Sequence, residues 1–273
     1  MVCLSGLIVL GGLAGGVGLG WLPLGEPPRE DANLIATRSD QQPQRWIVAH
    51  LDSKAQGHSM AGRLVAVWAI ILAVLVLAGC AVARLDGALS PVGLTLAAGC
   101  SVTAGFLAGR GRLRGKSVGA RDNGTGVAAA LIAAELSFDP RLGILITGAE
   151  EFGLVGARVF ARHTPDVSKT EFINLDTLDD EGNLYLVSHD RHGEHLASDL
   201  APSLAHLEIP LRRRRLPLGI FVDSAPLARR EARAITIGRL TWNTLRRIHT
   251  TADTPDDLSF TTAQQVGRAL ALN

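Results

Sequence analysis

The sequence is poor in aromatic residues: seven Phe, four Trp and one Tyr amount to 4 % of 273 residues. Its apolar fraction of 47 % is therefore largely aliphatic, built from Ala, Leu, Val and Ile. Cysteine is scarce too. Cys3, Cys80 and Cys100 all lie in apolar stretches without paired spacing, which excludes a disulfide framework and a cysteine-based zinc site. Surplus charge of either sign is missing, since 27 Lys+Arg face 26 Asp+Glu for a formal +1. That balance excludes a strongly basic nucleic-acid binder and an acidic disordered tail. Charged residues are only 19 % of the chain, and the mean hydropathy of +0.22 is high for a soluble enzyme. The length fits one large domain, or a domain with an accessory element.

The apolar excess is concentrated near the front. Leu64 to Ala83 reads LVAVWAIILAVLVLAGCAVA, twenty residues without a charge. At about 1.5 Å per residue a helix of that length spans roughly 30 Å, the thickness of a bilayer's hydrocarbon core. After Arg84-Leu85-Asp86-Gly87, residues 88–108 are again uncharged and rich in small side chains (Ser90, Gly93, Ala97, Gly99, Ala104, Gly105). Small residues let helices approach closely in lipid. Residues 64–108 read as a transmembrane helical hairpin, with a buried core hairpin as the alternative. A third run, Val2 to Leu24, spaces Gly12, Gly16 and Gly20 four apart and reads as a membrane segment within residues 1–25. No Lys or Arg precedes it, as a secretory signal would require.

The remainder alternates β-branched runs with helical stretches, the pattern of an α/β sheet. Strands are expected at Asn33–Thr37, Trp46–His50, Gly143–Thr147, Glu171–Leu175, Leu184–Val187 and Ala234–Ile237. Helices are expected at Gly126–Leu136, Leu154–His163, Glu194–Ala205 and Thr262–Leu272. Open α/β sheets place ligands at the carboxyl ends of their strands, and five stretches put polar residues there. They are Val48-Ala49-His50-Leu51-Asp52-Ser53, Gly119-Ala120-Arg121-Asp122-Asn123, Gly148-Ala149-Glu150-Glu151-Phe152-Gly153, Asn174-Leu175-Asp176 and Ile248-His249-Thr250-Thr251-Ala252-Asp253-Thr254-Pro255. Two imidazoles and several carboxylates suit zinc, and two neighbouring zinc ions need a carboxylate between them. Glu150 and Glu151 are adjacent, so one is free to face a metal while the other faces water.

In this order the stretches resemble the M28 family of metallopeptidases, co-catalytic di-zinc aminopeptidases, over roughly residues 31–58 and 116–260. The resemblance implies a three-layer α/β/α sandwich with a mixed central sheet, here a domain of residues 31–58 and 115–273 interrupted by the hairpin at 64–108. It implies two Zn2+ ions per chain, one on His50 and Asp176, the other on Glu151 and His249, with Asp122 between them. Glu150 corresponds to the general base acting on the attacking water, Asp52 to the carboxylate that fixes the His50 tautomer through its other nitrogen. It further implies a cis peptide bond after Asp122. The implied activity is aminopeptidase-type hydrolysis of peptide substrates by a membrane-anchored enzyme. A single-zinc glutaminyl-cyclase-like acyltransferase and a catalytically inactive membrane scaffold are the rivals.

Two departures stand out. The interval from His50 to Asp122 is far longer than is usual in the family, and the hairpin fills it; an even number of crossings returns the chain to the side it left. The helical region that usually precedes the Asn33 strand is missing, replaced by Val2–Leu24 or lost by truncation. Arg110, Arg112, Arg114 and Lys116 crowd the hairpin exit, with Lys54 and Arg63 near its entry, against Arg84 and Asp86 at the tip. The positive-inside rule then places the peptidase domain of this integral membrane protein in the cytoplasm. His189, His192 and His195 read as a solvated turn and helix start, Arg212–Arg215 as a solvated strand face, and Asp223-Ser224 as a helix cap. Lys54, His58 and His163 have no distinguishing context.

Overall fold

The computed structural model describes residues 30–85, 91–109, 113, 115–217 and 219–272. The Val2–Leu24 run and the hairpin tip at residues 86–90 lie outside the described residues. The chain divides into two compact units, one of Asp31–Met60 with Leu113–Asn273, the other of Met1–Glu30 with Ala61–Arg112.

The first unit is built on seven strands: β1 (Leu34–Thr37), β2 (Arg45–His50), β3 (Leu142–Thr147), β4 (Glu171–Leu178), β5 (Asn183–Ser188), β6 (Leu211–Arg215) and β7 (Arg233–Leu240). They lie in the order β1-β3-β2-β4-β7-β5-β6. The central four, β3, β2, β4 and β7, are mutually parallel. β1 and β5 run antiparallel to their neighbours β3 and β7, so the sheet is mixed. β3, LGILIT, is buried at every position, the near-continuous apolar run of a strand covered on both faces.

Alternate residues of the strands feed two cores, as the two-residue period requires. Ile47, Ala49, Ile173, Leu175, Ile235 and Ile237 face one cluster. Its helical side comes from α3 (Thr125–Leu136), α5 (Arg191–Ala205) and α8 (Thr261–Ala271). Trp46, Val48, Leu145, Phe172 and Ala234 face the other. There α4 (Val155–His163) and α6 (Ser224–Ala228) cover the sheet, with Phe160 edge-on to Trp46 at 5.1 Å between ring centroids. This is the expected three-layer α/β/α sandwich. The expected strands and longer helices are all present, with ends shifted by up to three residues; α6 begins where a cap was read at Asp223-Ser224, and α7 (Trp242–Arg247) was not expected.

One expectation fails. Asp223 precedes α6 but makes no side-chain capping bond. Its carboxylate instead accepts from the Thr147 hydroxyl at the end of β3, because a fully buried carboxylate needs an interior donor. It therefore ties α6 to the sheet rather than closing the helix.

The second unit holds α1 (Met60–Leu85) and α2 (Pro91–Gly109). Cys80 Sγ on α1 meets the Gly93 carbonyl of α2 at 3.6 Å. Among the described residues α1 is long and apolar enough to cross a membrane, and it leaves Val65, Trp68, Leu72, Leu75 and Val82 at least half exposed.

Candidate metal centre

Because the central four strands run in parallel, their carboxyl ends gather the polar residues at one edge. His50 ends β2, and Glu150 and Glu151 follow β3. Asp176 sits where the β4–β7 register shifts between Leu175 and Leu178, a bulge that re-aims a side chain. Gly238 on β7 permits this, since a Cβ there would stand 2.6 Å from the Asp176 carbonyl. His249 follows α7, and Asp122 lies in a single π-turn, Ala120–Gly124, ahead of α3. Ala149 and His249 take left-handed φ values of 51° and 63°, each costing about 1–2 kcal/mol in an L-residue. The Ala149 carbonyl accepts from the Val155 N–H at 3.0 Å and the His249 carbonyl from the Gln56 N–H at 2.9 Å.

The Asp122 turn is bolted down from three sides, and the bond between Asp122 and Asn123 is cis. Asp253 accepts the backbone N–H groups of Arg121 and Asp122, one on each oxygen, at 2.9 and 3.1 Å. The Asn123 amide donates to the Leu175 carbonyl at 2.8 Å, while its oxygen accepts from Gly126 and Thr177. A Cβ at Gly126 would lie 2.2 Å from that oxygen. The Arg121 side chain, 3 % exposed, donates to Asp179, Asp257 and the Thr254 carbonyl. It thereby joins the Asp122 turn to the segment after His249.

Two triads result. The ligand atoms of His50, Asp122 and Asp176 lie within 4.8 Å of one another, as do those of Asp122, Glu151 and His249. Asp122 is shared. Its Oδ1 faces His50 Nε2 at 3.1 Å and its Oδ2 faces His249 Nε2 at 3.2 Å, with Glu151 Oε2 3.4 Å from the same His249 nitrogen. Ligand atoms on one tetrahedral zinc stand about 3.4 Å apart, so the spacing fits. The donor set of imidazole and carboxylate also fits zinc. Glu151 Oε1 is buried with no hydrogen-bond partner among the described residues, a cost that a bound cation would remove.

Electrostatics agree. Burial pushes Asp122 upward, but hydrogen bonds from His249 and His50 outweigh it and hold the carboxyl well below its usual range. Burial pulls His50 downward, yet the carboxylates of Glu150, Asp122 and Asp176 outweigh it and set the imidazole well above its usual value. His249 is likewise raised, to about 8, against burial, by Asp122 and Glu151. Asp176 is pushed up to about 7 by burial and by the Asp122 charge. Burial, followed by the nearby carboxylates of Asp223, Glu151 and Asp176, raises Glu150 well above the carboxylate range despite the attraction of His50. Crowded buried carboxylates with too little positive charge make a site that favours divalent cations.

Asp52 differs from its expected role. The His50 Nδ1 hydrogen bond, 3.0 Å, goes to the Asp52 backbone carbonyl, and the carboxylate stands off at 3.7 Å. That carboxylate accepts instead from the backbone N–H groups of Glu150 and Glu151 at 2.9 and 3.0 Å. It fixes the turn that carries the two glutamates. Of the outlying histidines, His189 bonds Ser224 Oγ at 2.8 Å, while Asp190 caps α5 through Gly193. Sequence reasoning passed over Arg121, Asn123 and Lys54. Lys54 is 8 % exposed, with Nζ 2.5 Å from Glu151 Oε2. Its position two residues after Asp52 was the one available signal.

Fold and site together define an α/β sandwich protein with two candidate metal-ligand triads gathered at the carboxyl edge of its parallel strands. The chain belongs to peptidase family M28, whose model matches residues 99–272, more than half of its length. No curated protein matches it in sequence. Among solved structures it is similar to the LapA aminopeptidase of Legionella pneumophila, with TM-score 0.57, 18 % identity, and 88 % of this chain against 54 % of that one covered. It is also similar to BSAP, a zinc aminopeptidase from Bacillus subtilis (TM-score 0.52, 17 % identity, 88 % and 48 % covered). A glutaminyl cyclase from Bacteroides thetaiotaomicron gives TM-score 0.56 at 16 % identity, with 88 % and 75 % covered. At these identities the likeness concerns the fold. The chain spans about half the length of these two aminopeptidases.

Proposed function

We propose that this chain is a membrane-anchored, zinc-dependent aminopeptidase. The observation that carries the reading is Asp122, whose two oxygens each face a different imidazole within a closed set of carboxylates. In this reading His50 and Asp176 hold one zinc, Glu151 and His249 the other, and Asp122 both. Zinc when bound supplies Lewis acidity and brings the pKa of a water to about 7. The chain's own part begins with Glu150. It is 7 % exposed, and burial raises its carboxyl, which makes it a stronger acceptor for a proton taken from water and returned to a leaving amine. Asp52 supports that role by holding the Glu150 and Glu151 backbone. The substrate class is the peptide, and nucleic acid is no partner of this near-neutral chain.

Anchoring is assigned to residues 64–108, on the length of α1 and its exposed apolar side chains. The basic cluster of Arg110, Arg112, Arg114 and Lys116 supports a cytoplasmic α/β unit in this reading. Reporter fusions at Asp86 and at the C-terminus test this, and an extracytoplasmic C-terminus refutes it.

The enzymatic reading is tested by Glu150→Gln on an aminoacyl-anilide substrate. Turnover falls about 10²- to 10⁴-fold while zinc content by elemental analysis stays unchanged; undiminished turnover removes Glu150 from the mechanism. The similarity to a glutaminyl cyclase supports a second reading, cyclisation of an amino-terminal glutamine with one zinc per chain. Release of ammonia from a glutaminyl peptide, without anilide hydrolysis, selects it.

A further inference from the structure

We propose that the groove between α5 and β6 binds a compact polyanion carrying two or more phosphate groups. The inference is independent of the metallopeptidase reading, because the groove lies at the opposite end of the strands. β5 runs antiparallel to β7, so Ser188, which ends β5, pairs with Ile235 near the start of β7. The triads sit instead at the carboxyl ends of the central strands. The groove has a volume of about 530 Å3, within the range of small-molecule sites. One wall is β6, and the other is the first two turns of α5 with Arg191, Glu194 and Ser198.

Arg213 donates to Ser198 Oγ at 2.8 Å, and Arg215 pairs with Glu194 at 2.7 Å. Both guanidiniums are thus turned toward α5, while Arg212 and Arg214 alternate to the other face of the strand. Together with Arg191, three guanidiniums meet one carboxylate on the helix side. Among the described residues no carboxylate pairs with Arg191 or Arg213. The Arg215–Glu194 pair is exposed, and exposed pairs are weak, so an incoming anion can take the carboxylate's place. Such an anion would relieve the mutual repulsion of the arginines.

Guarding a free sheet edge against strand addition is the ordinary use of such charge. This sheet does not follow that practice: its other edge strand, β1, reads LIAT, exposed throughout and without a charge. Guarding also calls for no concavity, and here the arginines line one. Phosphate is the anion that suits them, because guanidinium forks pair with its oxygens bidentately. α5 begins at Arg191, so the positive end of a fifteen-residue helix adds to the same field. No aromatic side chain lines the groove, and the ligand is therefore recognised by its phosphates and not by a stacked ring. Soluble polyphosphate and a multiply phosphorylated lipid headgroup share this chemistry.

The probe is inorganic pyrophosphate, titrated by calorimetry into the full-length protein in non-ionic detergent. The wild type binds it with a Kd below about 100 μM, at least about 10-fold more tightly than sulfate. Arg213→Gln and Arg215→Gln each weaken binding about 10- to 100-fold. Arg212→Gln, on the other face of the strand, changes it by less than about 3-fold. All three positions are exposed, so the variants fold. Equal losses in the three mean a diffuse field without a site and overturn the proposal, as does no binding at about 1 mM. Pyrophosphate also chelates zinc; binding that survives unchanged in Arg213→Gln and Arg215→Gln belongs to the metal centre and overturns the proposal too. Repeating the wild-type titration in phosphatidylcholine nanodiscs, with and without a phosphatidylinositol bisphosphate, assigns the source. A pyrophosphate affinity lowered at least about 10-fold by that lipid puts a headgroup in the groove, and an unchanged affinity makes the ligand a soluble one.

Discussion

The two units treat leucine in opposite ways. In the α/β unit Leu145, Leu175, Leu184, Leu186, Leu196 and Leu204 are wholly inside, and ionisable groups are buried beside them at the strand ends. In the helical unit Leu72, Leu75, Leu85 and Leu96 are each more than half exposed, and α2 carries no charge along its nineteen residues. A water-soluble surface rarely gathers so much contiguous apolar area. The α/β unit is organised to keep water out of an apolar core while holding charge in a polar pocket. The helices satisfy their backbone internally and turn apolar side chains outward, which is the solution a hydrocarbon solvent requires. Hydropathy in this chain is therefore a property of each unit and not of the whole. The mean over the chain is an average of two environments.

Truncating one leucine in each unit gives the largest contrast. Leu186→Ala, in the sheet core, is expected to destabilise the α/β unit by about 2–5 kcal/mol. Under the proposed anchoring, Leu72→Ala on α1 stays within about 1 kcal/mol, because truncation at an exposed position leaves no cavity. Chemical denaturation of the detergent-solubilised protein, followed by a probe in each unit, reads both. Equal losses would mean that α1 packs as a protein core. Charge gives the next effect. Leu75→Arg should cost about 2.5–3.5 kcal/mol of insertion free energy near mid-bilayer, seen as loss of the chain from carbonate-washed membranes. Leu34→Arg, at 58 % exposure on the edge strand against 64 % for Leu75, is expected to shift stability by no more than about 0.5 kcal/mol. A tolerated arginine at Leu75 breaks the membrane assignment.

How much of this was legible before coordinates also divides by region. The sheet was readable because β2, β3 and β4 are short β-branched runs, buried on both faces, and such runs announce themselves. Of the residues now seen in the two triads, His50, Glu151 and Asp176 lie at or near strand ends as their position suggested, whereas Asp122 precedes a helix and His249 follows one, and these two were legible only through the family resemblance. What failed to show was the machinery between segments distant in sequence. Asp253 clamping the Asp122 turn, Arg121 reaching Asp257, and Lys54 on Glu151 join positions more than ninety residues apart. No local period encodes such pairings. Lys54 looked like an entry-side positive charge, and only folding of the segment 51–60 against the Glu151 turn reveals it as an interior group. Asp223 misled for the related reason that an acidic residue before a helix has a local explanation, whereas its true partner, Thr147, belongs to a strand.

The smallest effect probes the other half of the contrast, the charge that the α/β unit hides. Asp223 is fully buried, and burial, partly opposed by the attraction of His50 and the bond from Thr147, pushes its pKa from 3.8 up to about 6. A carboxyl raised in the folded state favours folding when protonated. Its contribution is therefore complete below pH 4 and is lost as pH rises through about 6. Glu150 and Asp176 move the same way, and so do His50 and His249, while Asp122 opposes them as pH falls. Metal-stripped protein should accordingly lose stability between pH 4 and 8. Asp223→Asn keeps an oxygen for the Thr147 hydroxyl but has no proton to lose. It should remove about 2–3 kcal/mol of that decline and leave the share of the other groups. Urea midpoints of the two proteins, measured across the range without metal, then converge at low pH and separate above pH 6. Parallel curves would mean that the Asp223 carboxylate reaches water, and that the polar pocket extends beneath α6 instead of ending at the triads.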